Sequence, residues 1–285
     1  MSERWPPDLR SRTQLETVPF FAQTAYQCGP AALAMALNAS GLDLTPATLR
    51  DQVYLPARAG SLQPEMLASA RRYGRLAVVL PPRLDSLLQT VAGGTPVIVL
   101  QNLALPLFPR WHYAVVIGYD RASDEILLHS GQQARLRMSL STFEYTWGRS
   151  GHWAMIAVAP AQPPAHLDPT RWLQGAVALE ALDPAAAGHA YSALTVREPE
   201  SYPAWMGRGN TAFALADFRE AVVAFGHATA LQPEQADAWN NLARALHASG
   251  QMEAGLTAAQ RAVTLGGPRL ERYRETLRRF ALTTP

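Results

Sequence analysis

Apolar and polar positions follow two different rhythms in the first and second halves of this chain. In the first half, the Pro-led, Ala-rich run "GPAALAMALNA" predicts a helix from Gly29 to Ala39. Three more helices are expected at Pro46 to Gln52, Pro64 to Tyr73 and Leu84 to Val91, the first with Thr45 as N-cap and Pro46 at its opening position. The pattern then turns to runs rich in Val, Ile and aromatic residues: "TPVIVLQNL", "WHYAVVIGYD", "EILLHSG" and "HWAMIAVAP". "DRASDE" between the second and third of these predicts a hairpin turn. Helices followed by an antiparallel sheet give an α+β order. "VAPAQPPAHLDPTRW", with four prolines and no periodicity, places a domain boundary near Pro160 to Asp168, so that residues 1–160 and 161–285 form separate domains.

Beyond that boundary the pattern is helical and it repeats. Ala204-Trp205 recurs as Ala238-Trp239, a spacing of 34 residues (239 − 205), and "ALQPEQADAW" echoes "REPESYPAW". Trp205, Gly209, Ala221, Phe225, Ala228 and Pro233 supply large, small, small, aromatic, small and Pro positions. The next repeat keeps Trp239, Ala243, Ala262 and Leu265, with Gly255 and Ala259 at the next small and aromatic positions. An earlier, degenerate copy begins at Arg171 with Gly175, Ala187, Tyr191 and Pro199, and "PRLERYRETLRRFAL" resembles a terminal capping helix. This period resembles the tetratricopeptide repeats, whose small residues let paired helices approach and whose stacked pairs bury a continuous core. The resemblance implies an all-α domain of about three repeats that recruits a protein partner.

Composition narrows the candidate functions. Hydrophobic residues are 48% and charged residues 17% of the 285, which suits packed cores rather than disorder. All 25 cationic residues are Arg, the formal net charge is +2, and no basic block points to a nucleic-acid partner. One cysteine can form neither an internal disulfide nor a Cys-based zinc site, so no metal or cofactor is expected. The N-terminal stretch lacks an apolar signal-peptide core, and no run approaches the ~18 apolar residues of a membrane span. A soluble chain is expected, in the cytoplasm or, had a leader been removed, in the cell envelope.

The lone cysteine stands at a position with chemical meaning. Cys28 immediately precedes Gly29 and Pro30 at the expected helix N-terminus, where unpaired N–H groups and the macrodipole favour a thiolate. Its pKa is therefore expected below the ~8.5 of a free cysteine. Gln23, five residues upstream, can offer a side-chain amide beside the Cys28 backbone N–H as an oxyanion hole. A base is available in His112, at the start of the strand "WHYAVVIGYD" and 84 residues beyond Cys28 (112 − 28), so the two meet only in the fold. Ser61 or Gln63 is expected near the start of a helix lining the cleft, and Phe143, Tyr145, Trp147 and Trp153 are expected in the core.

Gln23, Cys28-Gly29 with its small-residue helix, the "GGTPVIVL" strand, and His112-Tyr113-Ala114-Val115-Val116 leading to Gly118 together resemble the papain-like, bacteriocin-processing cysteine peptidases that cleave leader peptides after a double glycine. The resemblance covers residues 15 to 160 and implies a peptide or protein substrate, with Cys28 as nucleophile, His112 as general base and acid, and Gln23 as oxyanion donor. It also implies an Asp-Pro pair after the histidine strand, where this chain has "LLHSG". Ser130 stands nearest that Asp, with His129, Gln132 and Asn102 as alternatives, whereas Asp120 is assigned to the hairpin turn. No transporter segment follows, and the combination with helical repeats resembles a group of bacterial proteins, some directed to the envelope. Three functions fit: a cysteine peptidase with recruiting repeats, a peptidase-like binding protein without activity, and another thiol acyl-transfer enzyme.

Overall fold

A computed structural model describes residues 5–23, 27–58, 60–105 and 107–282. The chain divides into two compact units, 1–175 and 176–285, so the Pro-rich stretch after Pro160 lies in the first.

The first unit is built from β1 (Arg12–Gln14), α1 (Cys28–Ala39), α2 (Pro46–Val53), α3 (Gln63–Arg72), β2 (Leu76–Val79), α4 (Leu84–Ala92), β3 (Val97–Asn102), β4 (Trp111–Asp120), β5 (Glu125–Ser130), β6 (Gln133–Ser139), α5 (Leu140–Gly148) and β7 (Ala154–Val158), followed by α6 (Pro169–Val177) at its end. Thr45 caps α2 as its sequence demands, its hydroxyl accepting from the Thr48 N–H. The strands make one antiparallel sheet in the order β2-β7-β3-β4-β5-β6, with β1 added to the far end of β4. Every residue of β3 is buried, because α1 covers one face of the sheet while α4 and α5 pack on the other. A strand covered on both faces needs a continuous apolar run rather than alternation. The run "VIVL" is that strand.

Helix α1 is the centre of the first core. Gly29 to Leu37 are all buried, with Leu33, Met35 and Leu37 at 0% exposure against Leu49, Met66, Ile98, Val115, Ile117 and Met155. A helix that is apolar all round must be enclosed on all sides. Its alanines keep it thin enough to lie close to the sheet.

The sequence pattern did not predict β1, β2, β6 or α5. β1 has three residues, β6 alternates exposed and half-buried positions at the sheet edge, and α5 mixes aromatic and polar residues. Phe143 and Trp147 of α5 are core, whereas Tyr145 is 66% exposed and carries the Arg149 guanidinium over its ring. The "DRASDE" hairpin forms as expected, and the Asp120 carboxylate accepts from the Ala122 and Ser123 N–H groups at its turn.

The second unit pairs α7 (Pro184–Arg197) with α8 (Tyr202–Ala214), α9 (Phe218–Leu231), α10 (Ala236–Ala248), α11 (Met252–Leu265) and α12 (Leu270–Ala281) in antiparallel succession. The 34-residue period has a physical counterpart. Trp205 Nε1 donates to the Pro199 carbonyl at 2.7 Å, and Trp239 Nε1 donates to the Pro233 carbonyl at 2.9 Å. Each indole thereby ties the start of one helix pair to the loop before it. Gly209 is required where α8 crosses α9, since a Cβ there would lie 2.5 Å from the Phe225 ring, itself 1% exposed.

These contacts predict opposite outcomes for two glycines of this unit. Gly209→Ala forces the locked Phe225 ring to move and should cost about 1–3 kcal/mol, lowering Tm by several degrees. Gly226→Ala, within α9 and with nothing inside 4 Å of its Cβ, should stabilise by roughly 0.5–1 kcal/mol. Thermal unfolding of the two variants checks both signs.

Candidate functional site

The N-terminus of α1, the start of β4 and the end of β5 converge on one cavity of about 1180 Å³. Cys28, Gln23, His112 and Ser130 all line it. Pairing of Gln101 with His112 and of Leu100 with Tyr113 holds the first turn of β4 against the buried strand β3.

Cys28 is the first residue of α1. Gly29 follows it because the wall formed by Ser61 comes too close for a side chain: a Cβ would lie 2.2 Å from Ser61 Oγ. Tyr113 supports the same wall by donating its hydroxyl to the Ser61 carbonyl at 3.2 Å. Burial pushes the Cys28 thiol above its ordinary pKa. Backbone hydrogen bonds from Tyr113, Gly29 and Cys28 itself pull the other way without prevailing. The expected depression below the free-thiol value is therefore corrected: the helix tip does supply N–H donors, but enclosure of the sulfur outweighs them.

His112 is half-buried, and its Nε2 lies 2.9 Å from Ser130 Oγ. Burial, reinforced by the Arg110 guanidinium two residues earlier in the chain, pushes the imidazole down to about 4. Above that pH the ring is neutral. With a protonated thiol and a neutral imidazole lining the same cavity, the free site carries no ion pair at neutral pH.

The other groups considered as partners of His112 have different duties. His129 is 3% exposed, with Nε2 3.2 Å from the Val18 carbonyl and Nδ1 accepting from the Arg135 N–H, an arrangement that fixes it as a neutral core residue. Asn102 accepts from the N–H groups of Ala104 and Arg110 and so closes the base of the loop between β3 and β4. Gln132 is exposed in the β5–β6 turn. Asp120 lies at the opposite end of β4, eight residues and about 26 Å from His112 at strand rise.

Gln23 is buried and bridges two site elements. Its Nε2 donates to the Tyr113 carbonyl at 3.3 Å, and its Oε1 accepts from the Gly131 N–H at 3.1 Å. Ser61 and Gln63 line the cavity from the α3 side. Sequence reasoning took Tyr113 only as part of the histidine strand and did not single out Arg110, whose one sequence signal is its place two residues before His112. Among the described residues, no group of His, Cys, Asp and Glu could hold a metal ion, and no helix is long and apolar enough to cross a membrane.

Comparison with known proteins gives two family matches: residues 15–155 match the Peptidase_C39 like family, and residues 207–268 match the tetratricopeptide repeat. Among solved structures, one described as a C39-like peptidase from Bacillus anthracis is 18% identical, with 52% of this chain and 98% of that chain covered at a TM-score of 0.45. The peptidase domain of Streptococcus ComA, a bi-functional ABC transporter, is 20% identical, with 50% and 98% covered at a TM-score of 0.41. The TPR2B domain of yeast Sti1 is 19% identical, with 40% and 98% covered at a TM-score of 0.37. No curated protein matches the chain. Sheet and repeat agree with the two family matches: the chain carries a Peptidase_C39-like domain at residues 15–155 followed by a tetratricopeptide repeat at 207–268.

Proposed function

We propose that the first unit is a cysteine peptidase and that the helical repeats recruit its protein substrate or a partner. The observation that carries this reading is the 2.9 Å contact between His112 Nε2 and Ser130 Oγ in the cavity that Cys28 also lines. When Nε2–H donates to Ser130, the basic lone pair is left on Nδ1, the nitrogen that takes the thiol proton. The Sγ then attacks the peptide carbonyl carbon, and the oxyanion receives the Cys28 backbone N–H and the second Nε2 hydrogen of Gln23. Collapse breaks the C–N bond, His112 returns its proton to the leaving amine, and water attacks the thioester with His112 again as base.

In this scheme the thiol and imidazole are neutral at rest, and proton transfer accompanies attack. Ser130 orients the ring without neutralising the imidazolium that forms, since a hydroxyl carries no charge. The same two facts favour a second reading, a peptidase-like binding protein: among the described residues no Asp or Glu lines the cavity, and both shifts disfavour the reactive ion pair.

Variants separate the roles. His112→Ala should abolish turnover of a quenched-fluorescence peptide library, and Gln23→Ala should lower kcat by roughly 10² to 10³ while leaving the fold intact. Asp120→Asn should change kcat little. A loss of about 10⁴-fold on Asp120→Asn, the size seen when a triad carboxylate is removed, would place the acid there instead.

The pH profile tests the neutral pair. A folded pKa lowered to about 4 keeps His112 basic down to that pH, so the acid limb of kcat/KM should fall near pH 4 rather than near 6.5. Ser130→Asp, which sets a carboxylate against Nε2, should raise the imidazole pKa and move that limb upward by at least one unit. An acid limb near 6.5 in the wild type, unmoved by Ser130→Asp, contradicts the assignment of Ser130.

A further inference from the structure

The wall of the Cys28 cavity is charged in one sense only. Arg58, Arg110 and Arg149 line it, and none of the described lining residues is Asp or Glu. Arg149 is already engaged: its Nη1 donates to the carbonyls of Asn102 and Ala104, and its guanidinium stacks 4.0 Å over Tyr145. Arg58 and Arg110 are exposed and have no acidic partner among the described residues. They come from different sides, Arg58 from the segment before α3 and Arg110 from the residue before β4. Two uncompensated cations beside a cleft raise the local concentration of anionic groups and penalise cationic ones.

An exposed apolar group stands on the loop that leads into the same cleft at Pro109 to Trp111. Leu105, Leu107, Phe108 and Trp111 are 65%, 85%, 78% and 50% exposed, four of the twelve large exposed hydrophobics among the described residues, crowded into seven positions. Single exposed apolar side chains are ordinary, whereas a contiguous group marks a binding surface. The loop that carries them is held at its base. Leu103 N–H donates to the Arg110 carbonyl at 3.0 Å, Asn102 Oδ1 accepts from both ends, and Arg149 grips the Asn102 and Ala104 carbonyls. Its apolar side chains are therefore presented from an anchored base, with Arg110 and the cavity-lining Trp111 at its C-terminal end.

We propose that the cleft selects a peptide segment in which a carboxylate lies next to apolar side chains, with Arg110 and Arg58 receiving the carboxylate and Leu105, Leu107, Phe108 and Trp111 receiving the apolar groups. The carboxylate is an Asp or Glu side chain or the peptide C-terminus. The choice of a peptide over a lipid surface rests on continuity: Arg58, Arg110 and, at the end of the exposed apolar group, Trp111 line the cavity that holds Cys28 and His112, and Leu105, Leu107 and Phe108 stand on the loop that leads into it. This deepens the peptidase reading by naming its substrate class, but the binding it describes does not require turnover.

The test uses full-length protein carrying Cys28→Ala and fluorescein-labelled dodecapeptides rich in Leu and Phe, identical except for Glu, Gln or Arg at one scanned position. Each is made with a free and an amidated C-terminus, and binding is read by anisotropy. The proposal predicts binding about ten-fold tighter for Glu than for Gln at one or two positions, and weaker still for Arg. Arg110→Gln should remove most of that preference, and Leu107→Ser with Phe108→Ser should weaken all peptides alike. Weaker binding of every peptide on amidation, with no difference between Glu and Gln, assigns the carboxylate to the C-terminus. Equal affinities for Glu, Gln and Arg peptides that are also unchanged by amidation, or a carboxylate preference that survives Arg58→Gln with Arg110→Gln, overturn the proposal. So does Phe108-dependent sedimentation with phosphatidylglycerol vesicles without peptide selectivity. Turnover of the same peptides by the wild type is scored separately: neutral peptides cut as fast as acidic ones sink this proposal and keep the peptidase, whereas Glu-selective binding without cleavage does the reverse.

Discussion

Enclosure of α1 is the constraint on which the site depends. From Gly29 to Leu37 the helix has no solvent face, so its position is set by β3, β4 and β7 on one side and by α2 and α3 on the other. With the helix axis fixed, its N-terminal residue has one place to be. That place is beside the first residues of β4, which are registered against the wholly buried β3. A nucleophile candidate and a base candidate 84 positions apart (112 − 28) are thus brought to one cavity by core packing, with no metal cluster or disulfide among the described residues. Gly29 is where the core and the site meet, because the Ser61 wall leaves no room for a Cβ next to Cys28.

The same enclosure sets the electrostatics. A helix N-terminus favours a thiolate, and three backbone hydrogen bonds at Cys28 act in that direction. Removing the sulfur and the imidazole from water acts against both charges, and at this site it is the larger effect. A carboxylate against His112 would shift the balance towards the ion pair. Ser130 does not, and Arg110 pushes further towards neutrality. The site is thereby suited to a nucleophile unmasked only as its proton moves to the imidazole. Arg110, which adds to the effect of burial on the imidazole, also makes the cleft attractive to anions together with Arg58, so one charge affects both the base and what can approach it.

Much of this was legible in local sequence. The Pro-led alanine run gave α1 within one residue of its start, "WHYAVVIGYD" is β4 from end to end, and the Trp205 and Trp239 register is a repeated indole-to-Pro-carbonyl hydrogen bond. Each of these signals lies within a single element. The illegible parts arise between elements. Strand β1 is three residues long and exists because β4 has an open edge at Gly118 to Asp120; β6 has little apolar content because one of its edges is free. The sign of the Cys28 shift depends on burial by segments far away in sequence, which no helix-tip rule contains. Arg110 looked like any loop arginine until the fold put it beside a cavity whose described lining residues include no Asp or Glu.

The central claim, that Cys28 is a nucleophile activated by His112, is tested most directly by covalent trapping in the folded protein. A peptide vinyl sulfone mimics the substrate carbonyl and captures an attacking thiolate, and peptide mapping then locates the adduct. The account predicts one adduct, on Cys28, formed by the native chain at neutral pH and absent from a folded His112→Ala variant. Modification of Cys28 only after unfolding, or at equal rates with and without His112, would contradict it and leave a binding protein in its place.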